Sequence, residues 1–176
     1  IEPDGWPTVK TIASILLSQS AFDCSEDFSS EARANVDLSQ PRASIKTSIV
    51  PLCPDPGFPI YESVINFAGA KPVPLPLKES VDFRFRIEDL EAIVSDRTRL
   101  LIINSPQNPT GGVLTRSDLA MIAELAIKHN FYVLSDEIYS QLVYDGDHQS
   151  ILSIDGMQDR TILLDGHSKS YAMTGW

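Results

Sequence analysis

Arg99-Leu100-Leu101-Ile102-Ile103-Asn104-Ser105-Pro106-Gln107-Asn108-Pro109-Thr110-Gly111-Gly112 decides the fold. Its first five residues are almost wholly apolar and show no polar alternation, the mark of a strand buried on both faces. A strand of that kind belongs in a parallel sheet covered by helices. The polar, proline- and glycine-rich stretch that follows it is turn chemistry at the strand's carboxyl end.

The same pattern repeats downstream. Thr115 is an N-cap candidate for a helix through His129, with Leu119, Ile122, Ala123, Ala126 and Ile127 on one face. Phe131 to Leu134 reads as the next buried strand, followed by Ser135-Asp136-Glu137-Ile138-Tyr139. Thr161 to Leu164 is another, followed by Asp165-Gly166-His167-Ser168-Lys169-Ser170.

Upstream, Ile87 to Val94 reads as a short helix. Val73 to Leu77 reads as a strand whose Pro72, Pro74 and Pro76 suggest an edge. Tyr61, Val64, Ile65 and Ala68 recur at helical spacing up to Gly69, after a turn at Pro54-Asp55-Pro56-Gly57. Strands separated by helical crossovers define an α/β fold with a mainly parallel sheet and flanking helices. Ligands of such sheets sit beyond the carboxyl ends of the strands. Three of those ends carry an amide, a carboxylate with a phenol, and an amine.

Residues 1 to 49 differ: they are Ser-rich, show no sustained periodicity, and hold one candidate helix near Val9 to Ser18. We therefore divide the chain into an N-terminal segment, 1–49, and an α/β portion, 50–176. The 176 residues carry 14 Lys and Arg against 24 Asp and Glu, a net charge of −10. That balance, with no basic stripe, argues against nucleic acid as a partner. The apolar run Ile12 to Leu17 is too short for a membrane span. Two separated cysteines, Cys24 and Cys53, make no disulfide framework, so a cytoplasmic location is expected. The three histidines have neither metal-ligand spacing nor a nucleophile partner.

Taken together, four segments resemble the class I/II aminotransferases of the aspartate aminotransferase family, enzymes that depend on pyridoxal 5'-phosphate (PLP). Asn108-Pro109-Thr110-Gly111 is similar to the family's Asn-Pro-Thr-Gly turn, and Asp136-Glu137-Ile138-Tyr139 to its Asp-x-x-Tyr. Ser168-Lys169-Ser170-Tyr171-Ala172-Met173-Thr174-Gly175-Trp176 is similar to the block around the Schiff-base lysine. Asp55 to Glu62 resembles the segment bearing the aromatic residue that stacks on the cofactor. The likeness spans residues 50 to 176 and implies the large PLP-binding domain of fold type I.

The resemblance implies a role for each matching residue. Lys169 would hold the cofactor as a Schiff base and then act as the base that moves the substrate's α-proton. Asp136 would face the pyridine nitrogen and keep it protonated. Tyr139 and Asn108 would hydrogen-bond the phenolic oxygen, with Asn108 also reaching the substrate carboxylate. Phe58 would stack on the ring and Ser168 would contact the phosphate. Asn108-Pro109 is a candidate cis peptide. The implied reaction is amino transfer from an amino acid to a 2-oxo acid, and the implied assembly of the full-length protein is a homodimer.

Simpler readings stand beside these. Lys169 could be a surface lysine, Asp136 a helix cap, Asn108 a turn residue, and Tyr139 and Phe58 core packing. Gly111-Gly112 lacks the Lys-Ser or Lys-Thr of a phosphate loop, and turn geometry accounts for it better. A carbon–sulfur lyase or an aminocyclopropane-carboxylate synthase shares the motifs, and a non-catalytic remnant of such an enzyme is a further alternative. A Rossmann-type nucleotide binder lacks its glycine fingerprint. The family's phosphate-binding arginine would follow Trp176, and its glycine-rich turn has no convincing match in residues 1–49. The expectation is therefore an incomplete enzyme that binds PLP weakly by itself.

Overall fold

The computed structural model describes residues 50–175; the N-terminal segment with its candidate helix near Val9 to Ser18, and Trp176, lie outside the described residues. Five strands form one sheet: β1 (Val50–Asp55), β2 (Val73–Pro76), β3 (Thr98–Asn104), β4 (Tyr132–Asp136) and β5 (Thr161–Leu164). Their spatial order is β2-β1-β3-β4-β5 and every pairing is parallel. The helices are α1 (Pro59–Phe67), α2 (Ile87–Ile93), α3 (Arg116–His129) and the single turn α4 (His167–Ser170).

The expected α/β architecture is the one observed. β2 is an edge strand, the position in which Pro74 and Pro76 cost no ladder bonds on the open side. The residues Pro54 and Asp55, expected in a turn, instead end β1, which lies between β2 and β3. Pro51 and Pro54 mask that strand in the sequence. The structure accommodates Pro51 with a register shift between Val50 and Pro51.

Alternate residues of the strands feed two separate apolar clusters. Leu52, Leu101, Ile103 and Val133 pack with Leu90, Leu119, Ile122, Ala126, Phe131 and Met157 on the side of α2 and α3. Cys53, Leu100, Ile102 and Leu134 pack with Tyr61 and Ile65 of α1 on the other side. Both faces of the central strands are thus dry, as the continuous apolar run predicts.

α3 begins with a full capping box: Thr115 accepts from the Asp118 backbone N–H, and the Asp118 carboxylate accepts from the Thr115 N–H at 2.8 Å. Arg84 also grips both oxygens of Asp118, at 3.1 and 2.9 Å, tying the stretch before α2 to the start of α3. One expectation fails on this helix. Ile127 is 49% exposed and Leu125 is buried in its place.

Candidate functional site

The register sets Asn104 beside Asp136 and Asp136 beside Leu164 at one edge of the sheet. All three polar segments singled out above leave from that edge. Asn104, the last residue of β3, fastens two of them. Its side-chain amide donates to the Asp136 carbonyl at 2.9 Å, and its side-chain oxygen accepts from the Asn108 N–H at 2.8 Å. Sequence reading assigned Asn104 no role. Its signal was its place as the first polar residue after an apolar strand.

The turn from Gln107 to Gly112 is closed by Gly111 N–H donating to the Gln107 carbonyl at 2.7 Å and Gln107 N–H donating to the Gly112 carbonyl at 2.8 Å. Gly111 has φ 79°, a conformation that favours glycine. A Cβ on Gly112 would lie 2.8 Å from the carbonyl oxygens of Asp82 and Phe83, so no side chain fits there. Asn108–Pro109 is cis. The Asn108 side-chain amide donates to the Tyr139 hydroxyl at 3.4 Å.

Asp136 accepts at both oxygens. The Ile138 N–H donates to Oδ1 at 3.2 Å and the Tyr61 hydroxyl to Oδ2 at 2.6 Å. The residues after Asp136 form turns rather than a helix, so Asp136 caps none. Tyr61 was read from the sequence only as part of an apolar helix face. The signal for more was a phenol where a phenyl ring would have packed as well. Its ring is buried and stands edge-on to Phe58, with centroids 5.8 Å apart. Phe58, just ahead of α1, is 43% exposed, which removes the core-packing reading for it.

Lys169 lies on α4, solvent-exposed, with its amine 5.9 Å from the centre of the Tyr139 ring. Ser168 is half-buried, and its carbonyl accepts from the Thr174 hydroxyl at 3.2 Å. His167 is exposed and stacks edge-on with Tyr171. Contacts therefore run unbroken from Phe58 through Tyr61, Asp136, Asn104, Asn108 and Tyr139 to Lys169. A cavity of about 330 Å³ lies beside α1, lined by Cys53, Asp55, Phe58, Tyr61 and Glu62 among others.

Two groups on this side have displaced proton affinities. Burial, the hydrogen bond to Asp136 and the negative charge of Asp136 all push the Tyr61 phenol up, so it stays protonated. Burial, reinforced by Glu62 and Asp55, raises the Cys53 thiol from 9.0 to about 11.

One residue further along, Glu137 is turned into the opposite cluster. It is buried, and accepts from the hydroxyls of Ser135 at 2.9 Å and Ser150 at 2.8 Å, while His148 Nε2 sits 2.8 Å from its other oxygen. Among the described residues no group of His, Cys, Asp and Glu is placed to hold a metal ion, and no helix is long and apolar enough to cross a membrane.

The family model for aminotransferase class I and II matches residues 41–176. The chain belongs to that family. The match starts nine residues ahead of the boundary read from the sequence. Aromatic-amino-acid aminotransferase 2 of Thermococcus litoralis is 50% identical over 126 residues, 71% of this chain and 32% of that protein. An aspartate aminotransferase of Pyrococcus abyssi is 48% identical over the same share of each chain. The crystal structure of the aromatic aminotransferase from Pyrococcus horikoshii superposes with a TM-score of 0.70 at 48% identity, covering 73% of this chain and 34% of that one. The chain spans about a third of the length of the relatives it matches. Members of this aminotransferase family use PLP.

Proposed function

We propose that this chain contributes the cofactor-binding core of a PLP-dependent aminotransferase that passes an amino group from an amino acid to a 2-oxo acid. The observation that carries the reading is the contact series along one sheet edge, which links Asp136, Asn108, Tyr139 and Lys169. That set of groups fits PLP. A carboxylate suits a protonated ring nitrogen, a phenol and an amide suit a phenolic oxygen, a primary amine suits an aldehyde, and an aromatic ring suits a flat face.

When bound, PLP supplies the electron sink that makes the substrate's α-proton acidic. The protein's part is to hold and orient. Asp136 holds a proton at the ring nitrogen, because an ionised carboxylate favours the charged form of a base facing it. Asn108 and Tyr139 donate to the ring oxygen. Lys169 Nζ would hold the cofactor at its aldehyde carbon, and its free amine would be the base at the substrate's α-carbon. Phe58 would pack against the ring, and Ser168 would donate to the phosphate.

The division at residues 49 and 50, a homodimeric full-length protein and a cytoplasmic location belong to the same reading. The family match and the named amino-acid aminotransferases among the relatives support the amino-transfer part of the reading. The test is amino transfer from aspartate to 2-oxoglutarate by the full-length protein with PLP added, repeated with a panel of donors. Transfer that Lys169→Ala abolishes supports the proposal; transfer that survives Lys169→Ala, or no transfer with any donor, refutes it.

A further inference from the structure

We propose that Tyr61 is a positioning residue for Asp136, its hydroxyl fixing one carboxylate oxygen so that the group meets the cofactor in a single orientation. The inference rests on the reading of Asp136 given above and extends it to a residue with no assigned role.

Three observations carry it. The Tyr61 hydroxyl donates to Asp136 Oδ2 at 2.6 Å, the short range of an O–H to a charged acceptor. The second oxygen, Oδ1, is held from the other side by the Ile138 N–H. Each oxygen thus has one fixed donor, one from α1 and one from the chain's own turn, and rotation of the carboxylate would break both. Second, the donor's surroundings are apolar: Tyr61 shares its cluster with Cys53, Ile65, Leu100, Ile102 and Leu134. A phenyl ring would fill that slot equally well, so packing alone does not call for the hydroxyl. Third, Tyr61 and Phe58 are in ring contact across the first turn of α1. One helix start therefore sets both the carboxylate and the exposed aromatic face.

The titratable groups on this face are Tyr139 in the turn after β4, Lys169 over the Tyr139 ring, and Cys53 with Asp55 and Glu62 acting on it. None of them gives Asp136 a second side-chain donor. Burial holds the proton on the Tyr61 phenol, so its hydroxyl stays a donor to Asp136.

The test is a double-mutant cycle of Tyr61→Phe and Asp136→Asn in the full-length protein, read by PLP affinity and by urea unfolding without PLP. Tyr61→Phe is expected to weaken PLP binding roughly tenfold with Asp136 in place. With Asp136→Asn the same change should do almost nothing further. Equal weakening in both backgrounds overturns the proposal, because the hydroxyl would then act through something else. Failure of the unaltered protein to bind PLP refutes the cofactor reading, and this inference with it. Coupling in the unfolding arm would then still establish the contact itself. Should Tyr61→Phe not fold, 3-fluorotyrosine at position 61 keeps ring and hydroxyl. Its fluorine resonance should shift on adding PLP, and not with Asp136→Asn; a resonance that ignores PLP overturns the proposal.

Discussion

Asp136 and Glu137 are adjacent carboxylates with opposite surroundings. Glu137 is turned into the α3 side of the sheet, 7% exposed, and its two oxygens meet two serine hydroxyls and His148. Asp136 faces the α1 side, is only half-buried, and has a single donor on each oxygen. A buried carboxylate held by three side chains is a structural tie. One with acceptor capacity left over, at the carboxyl edge of a parallel sheet, is equipped to receive a ligand's proton donor. The strand that ends here throws successive side chains to opposite faces, which separates a lock from a site within one peptide bond.

The sharpest way to break this contrast is to neutralise each acid in turn. Asp136→Asn should lower amino transfer in the full-length protein by on the order of a hundredfold while costing only about 1 kcal/mol in urea unfolding, since a carboxamide oxygen still accepts from Tyr61. Glu137→Ala should do the reverse. It strands Ser135, Ser150 and His148 and should cost about 3 kcal/mol in urea unfolding, with any activity loss following the unfolded fraction. If the two variants exchanged phenotypes, the contrast would be wrong.

A smaller effect sharpens the picture of the Asp136 side. The folded state binds the Cys53 proton more tightly than the unfolded chain, with a value of about 11 against 9.0. Its contribution is therefore complete below pH 9 and lost as pH rises from 9 towards 11. Stability should fall by roughly 2 kcal/mol over that window, and Cys53→Ala should flatten the part due to the thiol. Tyr61, also raised, adds to the decline at the upper end. Least of all, Phe58→Leu should weaken PLP binding a few-fold without moving the unfolding midpoint, because the ring is already 43% exposed.

Much of this was legible from the chain. The apolar run at 100–103, the cap at Thr115 and the strand at 161–164 are each a local signal strong enough to survive tertiary context. What escaped was decided by neighbours. β1 carries Pro51 and Pro54, and only its partners on both sides make it a strand. Leu125 and Ile127 flank the buried stripe of α3 on opposite sides, about 100° either side of Ala126, and helical periodicity alone cannot choose between them. In the site, Asn108, Asp136, Tyr139 and Lys169 were visible because each lies in a polar motif that ends or follows an apolar strand. Tyr61 and Asn104 were not, since a tyrosine on an apolar helix face and an asparagine ending a strand look like packing until the sheet brings Asp136 alongside both.

The most direct measurement is to load the full-length protein with PLP, reduce it with borohydride and map the modified peptide. The account predicts the pyridoxyl group on Lys169, and its disappearance with Lys169→Ala. Attachment to Lys71, Lys78 or Lys128 instead, or labelling that Lys169→Ala leaves intact, would contradict it.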